Sequence, residues 1–388
     1  MRFLPYSLVG IWILFSCSCM ATAKEPPTPI EIGERTTLHS ETLKKDIILS
    51  IHVPDRTRQS KDTWPVLITF QTDFLHVAAT VRQLYTSSLI PEMAVVGIDN
   101  YEYGYLSPTK LPWRKGSGQA NLFIQFIQNE LIPSMKANNN VNDYSLVFSN
   151  SWGAMFGVYA ILSQPDVFDA AIASIPWLPY DRSEQYILKN TKAWLDGHSY
   201  KHFMYLALDN EVEIHDDVEA FVQILNDSKK PGLHVELVRW PEEDHSSTPY
   251  RAIYWGLRTL YQDWSRFPKE VLEGSINDVI QHEKKLEKTF GYPLRMSPFA
   301  YLLAANDLLN AKAYQKTEEL LSLGKESHPK DIMIHATLGR AYDQQKKVDL
   351  AKAAYEQALQ LAEAQNHRHQ TWLKDKVEAL SKEDKAPQ

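Results

Sequence analysis

Seven short apolar runs, separated by helical stretches, occupy the chain between Asp46 and Arg239, and no strand signal follows them. The runs are Asp46–Val53, Val66–Gln71, Ala94–Asp99, Ser145–Phe148, Ala170–Ile175, His202–Leu208 and His234–Arg239. Several are continuous in Val, Ile, Leu and Ala, as strands covered on both faces should be. Between them, Asn121–Asn138 places Leu122, Phe123, Phe126, Ile127 and Leu131 on one helical face. Gly153–Leu162 is apolar nearly all round, and Asp216–Ile224 and Tyr250–Trp264 complete the helical set. Such alternation implies an α/β fold, a mostly parallel sheet with helices on both faces. In sheets of this kind, sites form at the carboxyl ends of the strands.

Past Phe267 the pattern is helical throughout. Leu338, Gly339, Tyr342, Ala351, Tyr355 and Ala358 occupy the small and large packing positions of a tetratricopeptide-like helical pair. A weaker copy starts near Pro298, with Ala305, Leu308, Leu321 and Pro329 in register. The expected organisation is therefore an α/β domain over residues 24–267 and an all-α tetratricopeptide-like domain over 268–388. Because the helical pairs carry their own packing residues, a cut near Phe267 is expected to leave a folded α/β core.

The first 23 residues read as a signal peptide. Arg2 precedes an apolar stretch from Phe3 to Phe15, and Ala21-Thr22-Ala23 forms a cleavage signal before Lys24. The stretch is shorter than the about 20 apolar residues a membrane span needs. Leu14-Phe15-Ser16-Cys17 offers a second export reading, a lipoprotein anchor at Cys17. Both cysteines, Cys17 and Cys19, lie in this segment, so under cleavage before Lys24 the mature chain is expected to have no disulfide and no thiol chemistry. The expected location is periplasmic or secreted, with no membrane span in the mature chain. A net charge of −7 without a basic run argues against a nucleic-acid surface.

The chemistry centres on Ser149-Asn150-Ser151-Trp152-Gly153, placed between a strand and a helix. A nucleophile elbow needs this context, with small residues two positions either side of the nucleophile. Ser149 and Gly153 meet that steric rule. A triad on such a fold runs serine, then acid, then histidine. Asp209, Glu211 and Glu213 follow the run His202–Leu208, and His245 lies in the loop after the last strand. Of thirteen histidines, His245 alone has the position of a base for Ser151. His76, His202, His215 and His234 read as loop or strand residues.

These residues, with Pro65-Val66-Leu67-Ile68, Val95-Val96-Gly97-Ile98, Leu106-Ser107-Pro108-Thr109 and Glu130-Leu131-Ile132-Pro133, resemble the putative-esterase branch of the α/β-hydrolases. That branch includes siderophore esterases, S-formylglutathione hydrolase and mycolyltransferases, and some members carry a C-terminal tetratricopeptide extension. The resemblance spans roughly residues 36–264. It implies a serine esterase acting on a small-molecule or peptide ester without cofactor or metal. It favours Glu211 as the acid, with Asp209 next and Glu213 if the loop is longer. It also implies oxyanion donors at the Trp152 amide and at the amide of Gln71 or Thr72. The chain departs from the family at Ser149, Asn150 and Ala154, where Gly-His-Ser-x-Gly-Gly is usual, and at Gln71-Thr72, where Asp-Gly is usual. Those departures motivate a rival reading, a catalytically weak scaffold whose helical repeats bind a protein partner.

Overall fold

The computed structural model describes residues 30–54, 63–70, 73–178 and 185–383. The segment read as a signal peptide lies outside them. The sheet has eight strands: β1 (Glu34–Ser40), β2 (Lys45–His52), β3 (Trp64–Phe70), β4 (Ala94–Ile98), β5 (Val141–Asn150), β6 (Ala170–Ser174), β7 (His202–Leu208) and β8 (Leu233–Arg239). Their spatial order is β1-β2-β4-β3-β5-β6-β7-β8. β1 and β2 run antiparallel to their neighbours, and every pairing from β4 to β8 is parallel. This is the α/β-hydrolase fold, with β5 at the centre of the sheet.

β1 was not expected. Its sequence, ERTTLHS, is largely exposed and holds a single large apolar residue, Leu38. It exists because it pairs along its whole length with β2, from Glu34 opposite Ile51 to Ser40 opposite Lys45.

The alternation along each strand divides the core. Val66, Ile68 and Phe70 of β3 and Val147 of β5 enter one apolar cluster. Leu67, Leu146 and Phe148 enter the other. Successive strand residues point to opposite faces, which produces this split. α1 (Phe74–Thr86) covers the second face. The first is covered by α2 (Ala120–Phe126), a π-helical turn Ile127–Leu131, α3 (Ile132–Asn139), α4 (Trp152–Ser163), α5 (Tyr186–Gly197) and α6 (His215–Ser228). α7 (Thr248–Leu260) returns to the second face, and the short α8 (Gln262–Ser265) ends the α/β part.

The rest is helical: α9 (Lys269–Glu273), α10 (Ile276–Phe290), α11 (Pro298–Asn310), α12 (Tyr314–Ser327), α13 (Ile332–Gln344), α14 (Val348–Ala364) and α15 (Gln370–Glu383). Gly324 lies against Tyr301, and Gly339 lies under the ring of Tyr355, whose Cγ would sit 3.0 Å from an added Cβ. The glycines let paired helices approach closely.

One expectation needs correcting. The helices after Phe267 are not packed only on one another. Val279, Leu286, Phe290, Tyr292, Leu294 and Met296 share a continuous core with Leu146 and Ile172 of the sheet and with Ile253 and Leu257 of α7. Phe290 stacks on Tyr261 at 4.9 Å and meets Tyr144 of β5 edge-on at 5.4 Å. Buried Glu283 accepts from the Met296 amide at 3.1 Å and from the Tyr301 hydroxyl at 2.8 Å, which pins the segment between α10 and α11. Only the far end, with Ile332, Tyr355, Leu373 and Leu380, forms a cluster of its own.

Candidate active site

β5 ends at Asn150 and α4 begins at Trp152, so one residue, Ser151, makes the whole reversal. It does so at φ 58° and ψ −118°, a conformation costly for any residue with a Cβ. Hydrogen bonds hold it there. The Ser151 amide donates to the Ser174 carbonyl at 2.8 Å. The Ser151 carbonyl accepts from Met155 at 3.0 Å and from Trp177 at 3.3 Å. A Cβ on Gly153 would lie 2.8 Å from the Ser149 Cβ and 3.0 Å from a ring carbon of Phe70. Any side chain at that position would force Ser149 or Phe70 to shift. The N-terminus of α4, with its positive dipole end, faces the serine.

The other groups come from the ends of β7 and β8. His245 Nδ1 lies 3.1 Å from Glu211 Oε2. The carboxylate can only accept, so Nδ1 carries the hydrogen and Nε2 is left as a base. The loop bearing His245 is fastened to the end of β7: the Trp240 amide donates to the Leu208 carbonyl at 2.9 Å, and the Asn210 amide to the Glu243 carbonyl at 3.2 Å. Arg251 braces it from below, stacked over Trp240 at 4.5 Å and paired with Glu243 at 2.9 Å. Asn150 Nδ2 makes a long 3.5 Å contact to the His245 carbonyl, which sets the loop beside the elbow.

Asp209 plays a different part from Glu211. It is 1% exposed, and its Oδ1 accepts from the Glu211 amide at 2.8 Å, which shapes the turn that delivers Glu211. Burial pushes its carboxyl above the usual range, against the pull of that amide. His215, the first residue of α6, donates from Nε2 to the Asp209 carbonyl at 3.0 Å. Glu213 falls in a short 3-10 turn, Val212–Ile214. Ligand atoms of Asp209, Glu211 and His245 lie within 4.8 Å of one another, close enough to hold a cation. The same contact serves to orient His245.

Gln71 and Thr72 lie outside the described residues. On their flanks, Phe70 ends β3 and Asp73 precedes α1. Burial raises the Asp73 carboxyl from 3.8 to about 7 and lowers His76 to about 4. His76 is a helical residue, not a loop one, and its ring lies 4.7 Å from Tyr250 and 5.8 Å from Phe148.

Sequence reading missed Ile175 and Trp177. Ile175 follows β6 at φ 51°, an unusual value for a β-branched residue. Its amide donates to Ala207 at 2.8 Å, and the bend carries the Trp177 amide onto the elbow. Their place at a strand's carboxyl end was the available signal.

Residues 40–215 match the family described as putative esterase. This segment belongs to that family. The match contains Ser151, Asp209 and Glu211 and ends before His245. Among solved structures, the chain is similar to an IroE-like serine hydrolase from Shewanella oneidensis, with 22% identity and a TM-score of 0.64 over 76% of this chain and 99% of that one. A siderophore hydrolase, EstA from Aspergillus nidulans, aligns at 16% identity and a TM-score of 0.52, over 62% of this chain and 98% of that one. An uncharacterised protein from Capnocytophaga ochracea aligns over 90% of this chain and 99% of that one, at 13% identity and a TM-score of 0.62. That coverage must reach well into the C-terminal helices. No curated protein matches the chain. Among the described residues, no helix is long and apolar enough to cross a membrane.

Proposed function

We propose that this hydrolase of the esterase family cleaves carboxylic esters through Ser151, His245 and Glu211. The observation that carries the reading is the single-residue turn at Ser151, set in the same end of the sheet as the His245–Glu211 pair. His245 Nε2 takes the Ser151 proton as Oγ bonds to the acyl carbon, and Glu211 stabilises the charge that the imidazole gains. The Trp152 amide at the head of α4, with the amide of Gln71 or Thr72, holds the oxyanion; each such donor is worth about 10²–10³ in rate. His245 then gives its proton to the departing alkoxide, and a water repeats the sequence on the acyl-enzyme. The approach of Ser151 Oγ to His245 Nε2 is the link this reading adds to the described hydrogen bonds.

The apolar leader before Lys24 supports export of the enzyme, and N-terminal sequencing of the mature protein tests it. The glycine–tyrosine contacts between paired helices support a tetratricopeptide-like C-terminal region. For the chemistry, Ser151→Ala should abolish 4-nitrophenyl ester hydrolysis and fluorophosphonate labelling with little change in thermal unfolding. Retention of more than about a thousandth of the activity would remove Ser151 from the mechanism.

A further inference from the structure

Beside the elbow lies a group of side chains that the triad does not use. The Arg114 guanidinium sits 5.2 Å from the ring centre of Trp152, 5.3 Å from that of Tyr103 and 5.5 Å from that of Trp113. Trp113 and Trp152 meet at right angles, 5.7 Å apart. The aromatic surface continues from Tyr103 to Tyr101 at 5.6 Å and from Tyr101 to Phe70 at 5.2 Å. It thus runs from Phe70 at the end of β3 to Trp152, the first residue of α4 and the one that follows Ser151.

Two properties set this cluster apart from ordinary core packing. Tyr103 is 55% exposed and Trp113 59% exposed, so the rings face solvent. The Arg114 Nε is buried without a hydrogen-bond partner, and among the described residues no ion pair engages its guanidinium. An arginine is always charged, and a buried donor without an acceptor is costly to keep. Aromatic rings attract a cation to their faces and supply no acceptor for the in-plane N–H donors. Those donors form a fork that fits a carboxylate through two parallel hydrogen bonds. In a chain of net charge −7, an unpaired cation next to the nucleophile is a local reversal of sign.

We propose that Arg114, framed by Tyr103, Trp113 and Trp152, binds a carboxylate of the substrate, so that the preferred esters are anionic. The proposal rests on the esterase reading for its kinetics and stands apart from it for binding. Two ester pairs separate the acyl side from the alcohol side: mono-4-nitrophenyl glutarate against 4-nitrophenyl butyrate, and 4-carboxyphenyl butyrate against phenyl butyrate. Wild type should favour the anionic member of at least one pair in kcat/KM. Arg114→Gln should lower that anionic-to-neutral ratio by about 10- to 100-fold, the worth of a charged bidentate contact. Arg114→Lys, which keeps the charge and loses the fork, should fall between them. A wild-type preference for the neutral member of both pairs, or a ratio unmoved by Arg114→Gln, would overturn the proposal.

Binding is read without turnover in the Ser151→Ala protein. Monomethyl glutarate should change the tryptophan fluorescence, since Trp113 and Trp152 border the site, and the added Arg114→Gln change should remove the response. A response that survives that change refutes the carboxylate site. If no ester is cleaved and no probe labels Ser151, the esterase reading fails while this titration still decides the site.

Discussion

Phe290→Ala tests whether the C-terminal helices share one energetic unit with the sheet. The ring is 5% exposed, stacked on Tyr261 at an interplanar angle of 16° and set edge-on to Tyr144. Removing a buried phenyl ring costs about 3–5 kcal/mol. Three aromatic pairs, with Tyr261, Tyr144 and Tyr292, each worth about 0.5–1.5 kcal/mol beyond their area, place the loss toward the upper end. Against a typical stability of about 5–15 kcal/mol, that is a third or more of the total.

Urea unfolding should be followed by circular dichroism, which senses all the helices, and by fluorophosphonate labelling of Ser151, which senses the hydrolase site. With a shared core, both midpoints fall together in Phe290→Ala. Leu373→Ala is the control: it is fully buried but lies in the separate terminal cluster, so it should loosen the last helices and leave the labelling midpoint in place. For the same reason, a chain ending at Phe267 should aggregate, because the apolar face under α10 would be bare. A labelling midpoint unmoved by Phe290→Ala, or a soluble, probe-reactive truncation, would refute the shared core.

Three further outcomes follow from the site. Glu211→Gln should lower kcat by on the order of 10³-fold, and Asp209→Asn by far less, since an amide oxygen can still accept from the Glu211 amide; the reverse order in steady-state kinetics would make Asp209 the acid. Gly153→Ala should cost about 1–3 kcal/mol in thermal unfolding and slow probe labelling, because its methyl meets Ser149 and Phe70. Asp73 holds a proton in the folded state up to about pH 7 that the unfolded chain releases near 3.8, so stability from this group declines as pH rises through that window. Asp73→Asn should therefore stabilise the protein at pH 8, by up to about 4 kcal/mol, and hardly at pH 4; equal Tm shifts at the two pH values would refute the burial argument.

How far the sequence disclosed the molecule depends on the range of each interaction. Strands buried on both faces, such as Val66–Phe70, carry their burial in their own composition. β1 does not, because its stability comes from backbone pairing with β2 and its side chains face water. α1 has Phe74, Val77, Ala78, Val81 and Leu84 at helical spacing, a pattern legible in principle yet unassigned between two strong strands. Ser151, Glu211 and His245 could be singled out because chain order alone brings strand ends together in a parallel sheet. Arg114 could not, since its partner Trp152 lies on another element.

The shared core shows what local pattern leaves open. An apolar stripe such as Val279, Leu286 and Phe290 reveals that a helix face is covered, but not by what. In the structure that stripe shares one core with Ile253 and Leu257 of α7, and Phe290 stacks on Tyr261, the residue that follows α7. α7 begins at Thr248, three residues after His245, and Thr248 is itself fixed by the Asp244 carbonyl through amide and hydroxyl contacts of 3.0 and 2.9 Å. The terminal helices therefore touch the chemistry through one rigid intermediary. Phe290 packs on Tyr261 at the end of α7, α7 carries the exit of the His245 loop, and Arg251 on α7 holds that loop from beneath through Glu243. On the proposed mechanism, a helical region that supplies no member of the triad is in this way part of what positions His245.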